Sequence, residues 1–264
     1  MIDRPNVMGI INTTPDSFYS GSRTNIIDEI LRRAEQMIID GADILDIGGQ
    51  STRPKSEQIP ADEELTRVLP AIEAIHQRFP QQIISVDTFY SKVARESVAA
   101  GASIVNDVSA GSIDADLLFV VAELKVPYVL MHMLGHPKTM QQNPEYKNVT
   151  LEVFDFLNFK IAELIKLGMN DIIVDIGFGF GKTFSHNFQL LRELSFFQQL
   201  NKPLMIGLSR KATIYKTLGI SAEETLNGST VMHTMALMNG ATILRVHDVK
   251  EAAQAIKLFM EYKK

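Results

Sequence analysis

The stretch IIVDIGFGFGK, residues 172–182, carries the pattern that decides the fold. Three β-branched residues, Ile172, Ile173 and Val174, lead into Asp175, and glycines follow at 177, 179 and 181. A short apolar run bounded by glycine reads as a buried strand. A carboxylate at the end of such a strand is costly unless it has partners. Glycines lack a Cβ, so a flat ligand can approach the backbone there. Two nucleotide templates come close, and each fails by one residue: the phosphate loop needs glycine where Ile176 stands, the dinucleotide fingerprint where Lys182 stands. What remains is a carboxylate floor for a polar heterocycle.

Outward from this run, seven more β-rich runs recur at 7–11, 44–47, 83–86, 104–105, 128–131, 204–206 and 243–246. Helix-period stripes lie between them. One is Ile26, Ile27, Ile30, Leu31, Ala34, Met37 and Ile38; another is Val153, Phe154, Leu157, Ile161, Leu164 and Ile165. Glycine directly precedes a strand in GADIL (Gly41), GASIV (Gly101) and GATIL (Gly240). Glycine suits the left-handed position after a helix, so these read as one helix-to-strand joint used three times. Ser221 with Glu224, and Asp248 with Glu251, read as capping boxes at two helix starts. Eight β-runs alternating with helices, without a linker, predict a single (β/α)8 TIM barrel domain over residues 1–264. An open doubly wound sheet is the alternative.

Composition narrows the function. A net charge of −5 without a long basic run argues against nucleic-acid binding. Zero cysteines exclude disulfides, thiolate zinc sites and cysteine nucleophiles. No apolar run approaches the roughly 18 residues of a membrane helix, and the first ten residues lack an export signal. The expectation is a cytoplasmic protein with no membrane and no nucleic-acid partner.

The strand ends carry the chemistry: Asn12, Asp46, Asp87, Asn106, His132, Asp175, Ser209, and Arg245 with His247. Any one alone is as readily a loop-capping group. Repeated around a barrel, they would ring the mouth where active sites of this fold sit. The loops at 13–24, 48–60 and 132–148 have the length of binding loops, and Phe18 and Arg53 in them suit a planar, anionic co-substrate. Asp87, Asn106, Asp175 and Lys211 offer two carboxylates, an amide and a cation. A carboxylate can accept the parallel N–H pair of an aminopyrimidinone edge. Ser209, Arg210 and Lys211, with Arg245 and His247, follow the last two runs, where barrels commonly hold phosphate. Two alternatives stand beside this: a Schiff-base role for Lys211, and zinc at His132 and His136, although Gly135 and Pro137 argue against a helix presenting both histidines.

Eight motifs then appear in order over nearly the whole chain. They are TPDSF (14–18), DIGG with STRP (46–54), SVDT (85–88), IVNDVS (104–109), MHM with TM (131–140), DIGFGFGK (175–182), SRK (209–211) and RVHDV (245–249). In these the chain resembles the dihydropteroate synthase family. The resemblance implies a cytoplasmic, commonly homodimeric TIM-barrel transferase of folate biosynthesis, the target of sulfonamides. Such an enzyme joins 7,8-dihydropterin-6-ylmethyl pyrophosphate to p-aminobenzoate, releases pyrophosphate and uses Mg2+.

The family pattern places the pterin against Asp87, Asn106, Met131, Asp175, Phe180 and Lys211. It places pyrophosphate at Asn12, Arg245 and His247, with Asn12 also on the metal, and p-aminobenzoate at Phe18, Thr52, Arg53, Pro54 and Ser209. Asp87, Lys211 and Asn12 are the expected catalytic set of a dissociative reaction. The chain departs from the pattern at Ile176 (commonly proline), Gln50 (often glutamate), Lys55 (glycine) and Ser20 (an acidic residue, leaving Asp16). Its short N-terminus predicts a barrel bottom closed without the family's hairpin. The closest rival, a methyltetrahydrofolate-binding barrel of a corrinoid methyltransferase, should lack TPDSF and STRP. A catalytically idle paralogue would bind pterin without turnover.

Overall fold

Alternation along each β-run sends successive side chains to opposite faces, and that periodicity builds the molecule. The structure, a computed structural model, describes residues 4–14, 23–51, 58–135, 140 and 144–264, with 23–25 by backbone alone. All eight runs form strands: β1 (Asn6–Asn12), β2 (Ile44–Gly48), β3 (Ile83–Asp87), β4 (Ile104–Asp107), β5 (Tyr128–Met131), β6 (Ile172–Asp175), β7 (Leu204–Ile206) and β8 (Ile243–Val246). They pair in parallel, in chain order, and close into a barrel. Around it lie α1 (Arg23–Asp40), α2 (Ala61–Arg78), α3 (Ser91–Ala99), α4 (Leu117–Leu124), α5 (Val149–Lys166), α6 (Phe184–Arg192), α7 (Ala212–Leu218), α8 (Leu226–Met238) and α9 (Val249–Tyr262). A short 3-10 segment, Leu194–Leu200, follows α6. The β7–β8 connection carries two helices where strict alternation predicts one.

Two apolar populations follow from the strand period. One face of each strand (Leu45 and Ile47, Ile84 and Val86, Leu244 and Val246, for example) packs outward against the helices. The other contributes Met8, Ile44, Ile104, Val129, Ile173, Met205 and Ile243, a separate buried cluster that fills the barrel bore. This plug closes the barrel below the mouth among the described residues, as side-chain layers do in this fold. Burial of Ile30, Ala34 and Met37 bears out the first helical stripe. In the second, Ile165 is 48% exposed, so the buried stripe ends at Leu164.

Gly41, Gly101 and Gly240 take φ values of +104°, +119° and +98°. The joint is the same at each, and two of the three leave no room for a side chain. A Cβ at Gly101 would stand 2.4 Å from His76 Cγ, and one at Gly240 would stand 1.9 Å from Gln198 Nε2. The expected capping boxes are revised. The Ser221 N–H donates to Glu224 Oε2 at 2.9 Å, but α8 begins later, at Leu226 behind Thr225, so that pair closes a turn. Asp248 does precede α9, yet makes no capping bond, because Arg210 takes its carboxylate in an ion pair. A charged bidentate partner outcompetes a backbone amide.

The joint can be tested directly. Gly240→Ala is expected to destabilise the fold by about 1–3 kcal/mol, from the strain of an L-residue at positive φ plus overpacking. Adding Gln198→Ala should restore part of the loss, since it removes the clash and leaves the strain. Urea unfolding measures both, and an unchanged midpoint in Gly240→Ala would contradict the reading.

Candidate active site

Two residues beyond the plug, the inward positions of four strands become polar. Ile44 is followed by Asp46, Ile104 by Asn106, Ile173 by Asp175 and Ile243 by Arg245; Asn12 caps β1 and Asp87 ends β3. Register aligns them, with Asp87 opposite Asn106, Gly48 opposite both Asn12 and Asp87, and Met131 opposite Asp175. The expected cup is therefore assembled. Asp46, Asp87, Asn106 and Asp175 are buried at its base, while Asn12, Phe180, Lys211, Arg245 and His247 keep part of their surface open at the rim.

Arg245 organises the centre. Its Nε donates to Asp46 Oδ2 at 2.7 Å and its Nη2 to Asp87 Oδ2 at 2.6 Å. Asn106 Nδ2 donates to the same Asp46 oxygen at 3.1 Å. Burial pushes the Asp87 carboxyl up to about 7, against the pull of Arg245 and with the push of Asp46, Asp107 and Asp175. The two carboxylates hold the Arg245 guanidinium well above its ordinary range. Asp46 was among the expected strand-end residues without an assigned role. Its contacts make it the anchor of Arg245.

The glycine-rich turn supplies the opposite wall. The Gly177 N–H donates to Asp175 Oδ1 at 2.7 Å. Gly177 has φ +67°, and a Cβ there would stand 1.8 Å from the His132 carbonyl oxygen, so the turn demands glycine. Lys211 donates through Nζ to the Phe178 carbonyl and lies 4.5 Å from the Phe180 ring centroid. Burial lowers Lys211 to about 8, with Asp175 opposing. Burial raises Asp175, with Lys211 and the Gly177 amide opposing. Met131 packs with Phe89 and Val108, and Phe180 lies against that cluster.

Two side chains revise the expected ring. Met131 takes the inward place on β5, so His132 faces outward, its ring edge-on to Phe156 at 4.9 Å. His132 Nδ1 is 2.9 Å from Lys182 Nζ. Burial and that lysine hold the imidazole far below its usual value. His136 lies outside the described residues, and among the described residues no group of three or more His, Asp or Glu could hold a metal ion. Lys182, 2% exposed, also donates to the carbonyls of Phe180 at 3.0 Å and His132 at 3.4 Å. It clasps the β5 and β6 loops together. Sequence alone carried no signal for this role, since its His132 partner lies 50 residues away in the chain.

At the rim, Ser209 Oγ accepts from the His247 backbone N–H at 3.3 Å and lies 3.2 Å from His247 Nδ1. Burial, with Arg245 and Arg210 nearby, lowers His247 to about 4, leaving it neutral at physiological pH. Phe18, Thr52, Arg53 and Pro54, with Asp16, Ser20 and Lys55, lie outside the described residues. Gln50 does not: its amide donates to the buried carboxyl of Glu64 on α2, a residue the sequence did not single out.

Residues 8–247 match the family described as pterin binding enzyme. The dihydropteroate synthase of Escherichia coli (strain K12) is 44% identical over 259 residues, covering 97% of this chain and 91% of the relative. The Yersinia pestis dihydropteroate synthase with a sulfonamide drug complex superposes with a TM-score of 0.94 at 40% identity, over 100% of this chain and 96% of the other. The Xanthomonas albilineans dihydropteroate synthase in complex with 7,8-dihydropteroate is similar at a TM-score of 0.89 and 39% identity, covering 100% and 95%.

The Lys182 clasp has a pH signature. Burial lowers its folded pKa from 10.5 to about 7. Between those values the unfolded chain holds a proton that the folded chain lacks, so this group makes stability rise with pH across that window. Lys182→Met has no such group. The wild type should therefore gain stability relative to the variant between two urea titrations run inside the window. A constant difference would contradict the burial of a charge-bearing lysine.

Proposed function

This chain belongs to the dihydropteroate synthase family of the pterin-binding enzymes, and from that premise we propose how its own residues act. The enzyme is a transferase that condenses 7,8-dihydropterin-6-ylmethyl pyrophosphate with p-aminobenzoate, giving 7,8-dihydropteroate and pyrophosphate. One observation carries the assignment of roles: Asp87, Asn106, Asp175 and Lys211 converge in one cup above a buried apolar plug. The whole chain is taken as one pterin-binding domain working in the cytoplasm. No helix among the described residues is long and apolar enough to cross a membrane.

The pterin's amino-pyrimidinone edge meets Asp175 and Asn106 at the base, its faces meet Met131 and Phe180, and Lys211 closes the side. Arg245 and His247 hold the pyrophosphate at the rim, the first as a fixed cation and the second as a neutral donor. Asn12 offers an amide oxygen beside Asp87, since both flank the space over Gly48 within 4 Å. Hard oxygen donors completed by phosphate and water suit Mg2+. The fit is good, and Asn12 would hold the ion, whose charge when bound offsets that of the pyrophosphate.

The reaction is dissociative. The methylene C–O bond breaks and its electron pair leaves with the pyrophosphate, stabilised by Arg245 and His247 as charge develops. The methylene cation is conjugated with the pterin ring, and the Asp87 carboxylate stabilises it. The amine of p-aminobenzoate attacks that carbon and loses one proton. Ser209, with Phe18, Thr52, Arg53 and Pro54 of the first two loops, holds the benzoate in place. Asp87→Asn should lower turnover about 10²–10³-fold, the cost of removing one preorganised electrostatic group, while the pterin still binds. Labelled dihydropteroate formed with Mg2+ measures this, and full turnover by a folded variant would refute the role. A sulfonamide should compete with p-aminobenzoate in the same assay.

The homodimer is proposed on a surface. Phe184 and Phe188 of α6, and Val231, Met235 and Met238 of α8, are all exposed. Phe188 and Met235 of this set line a cavity of about 340 Å³ with Leu191, Arg192 and Asn239. A contiguous exposed apolar patch marks an association site. Met235→Glu should shift the mass seen by light scattering from dimer to monomer, and a wild type already monomeric at micromolar concentration would rule the surface out.

A further inference from the structure

The glycine turn of the cup is braced from outside by one buried amide that none of the roles above uses. Asn187, in the first turn of α6, is 1% exposed. Its Oδ1 accepts from the Gly179 N–H at 2.8 Å, and its Nδ2 donates to Thr213 Oγ1 at 3.0 Å. The orientation of the amide is forced, because a backbone N–H only donates and must therefore meet the oxygen. Thr213 is buried as well, in the first turn of α7 and two residues after Lys211, the N-cap of that helix. The start of α6 is itself fixed: the His186 N–H donates to Thr183 Oγ1 at 3.1 Å, and the Thr183 N–H to His186 Nδ1 at 3.3 Å. One amide thus joins the β6 turn, α6 and α7.

Between the two ends of that brace lies the side wall of the cup. Gly179 has φ +83°, and a Cβ there would stand 3.2 Å from Lys211 Cδ, so the lysine stem runs against the backbone of the turn. Lys211 Nζ meets the Phe178 carbonyl on one side of Gly179 and the Phe180 ring on the other. Thr213 lies on the helix that Lys211 opens. We propose that Asn187 is a positioning residue: by tying the Gly179 amide to Thr213, it sets the spacing of Phe180 and Lys211 and so the width of the pterin slot. The inference rests on the pterin reading of the cup given above.

Each end of the brace is a buried polar group, and a buried donor left without an acceptor is costly. Truncating Asn187 orphans the Gly179 N–H. Deleting the Thr213 hydroxyl orphans the Asn187 donor. Either loss drives the turn or the helix to shift towards another partner, and Phe180 and Lys211 shift with it. Both hydrogen bonds of the amide go to the β6 turn and α7, and neither goes to Ser209, which is assigned to p-aminobenzoate. The effect therefore falls on the pterin. Thr213→Val deletes the hydroxyl at nearly constant shape, and Thr213→Ser keeps it.

The test measures the affinity of dihydropterin pyrophosphate with Mg2+ by calorimetry, and the KM of p-aminobenzoate in the steady state. Thr213→Val and Asn187→Ala should weaken pterin binding about tenfold, the equivalent of one lost hydrogen bond. The KM of p-aminobenzoate should stay within about twofold of wild type in both. Thr213→Ser should bind pterin as wild type does. Gly240→Ala, which loosens a helix-to-strand joint outside the cup, controls for lost stability alone and should also bind as wild type does. If Asn187→Ala fails to fold, the contrast between Thr213→Val and Thr213→Ser decides alone. Wild-type affinity in Thr213→Val would overturn the inference and leave the pterin reading intact. So would the same weakening in Gly240→Ala, or an equal rise in the KM of p-aminobenzoate. A wild type that binds no dihydropterin pyrophosphate would overturn both.

Discussion

A guanidinium held between two carboxylates, inside a barrel and above an apolar plug, is the constraint that the rest of the mouth obeys. Arg245 comes from the last strand, Asp46 from the second and Asp87 from the third, so the contact joins the two ends of the barrel's closure. Buried ions are costly unless each has a partner; here each carboxylate meets Arg245 through one oxygen, and Asp46 Oδ1 makes no hydrogen bond among the described residues. Removing any member would leave an uncompensated charge, typically a loss of about 3–5 kcal/mol. Asn106 shares the same Asp46 oxygen, which links the amide of β4 to the ion group. A site built this way is rigid before any ligand enters, as electrostatic catalysis requires.

The opposite wall is held by a glycine turn and a buried lysine instead. Ile176 stands where a proline would stiffen the turn, and the turn is fixed nonetheless. Gly177 can adopt positive φ and let the His132 carbonyl approach, and Lys182 ties that carbonyl to the Phe180 carbonyl across the loop. Interactions between loops replace the rigidity of a ring. The same clasp turns His132 away from the mouth and leaves Met131 to line it.

How much of this was legible in the sequence follows from which forces are local. Strand period is local, so Ile44 and Asp46, or Ile173 and Asp175, could be read as plug and site from spacing alone. The glycine joints at 41, 101 and 240 were legible for the same reason, being backbone constraints. Partner choice is not local. Nothing near Asp248 announces that Arg210 takes its carboxylate in place of a helix amide, and nothing near Lys182 announces His132. Glu64 carries no local signal, since the partners around it, Gly49 and Gln50, come from another loop. His132 was placed in the ring because a strand end cannot be fixed to within one residue from composition, and one residue is a whole face.

The charges at the mouth follow the chemistry. Among the described residues, Asp46, Asp87 and Asp175 face two principal cations, Arg245 and Lys211, and Lys182 sits behind them with its pKa lowered by burial. Burial raises the Asp87 carboxyl, and Asp46, Asp107 and Asp175 push the same way against Arg245. In the dissociative reaction proposed above, the methylene cation would become the partner of the Asp87 carboxylate, which is costly on its own. On that proposal, an excess of negative charge at the base, with arginine reaching towards the rim, would favour separation of the bond into cation below and pyrophosphate above.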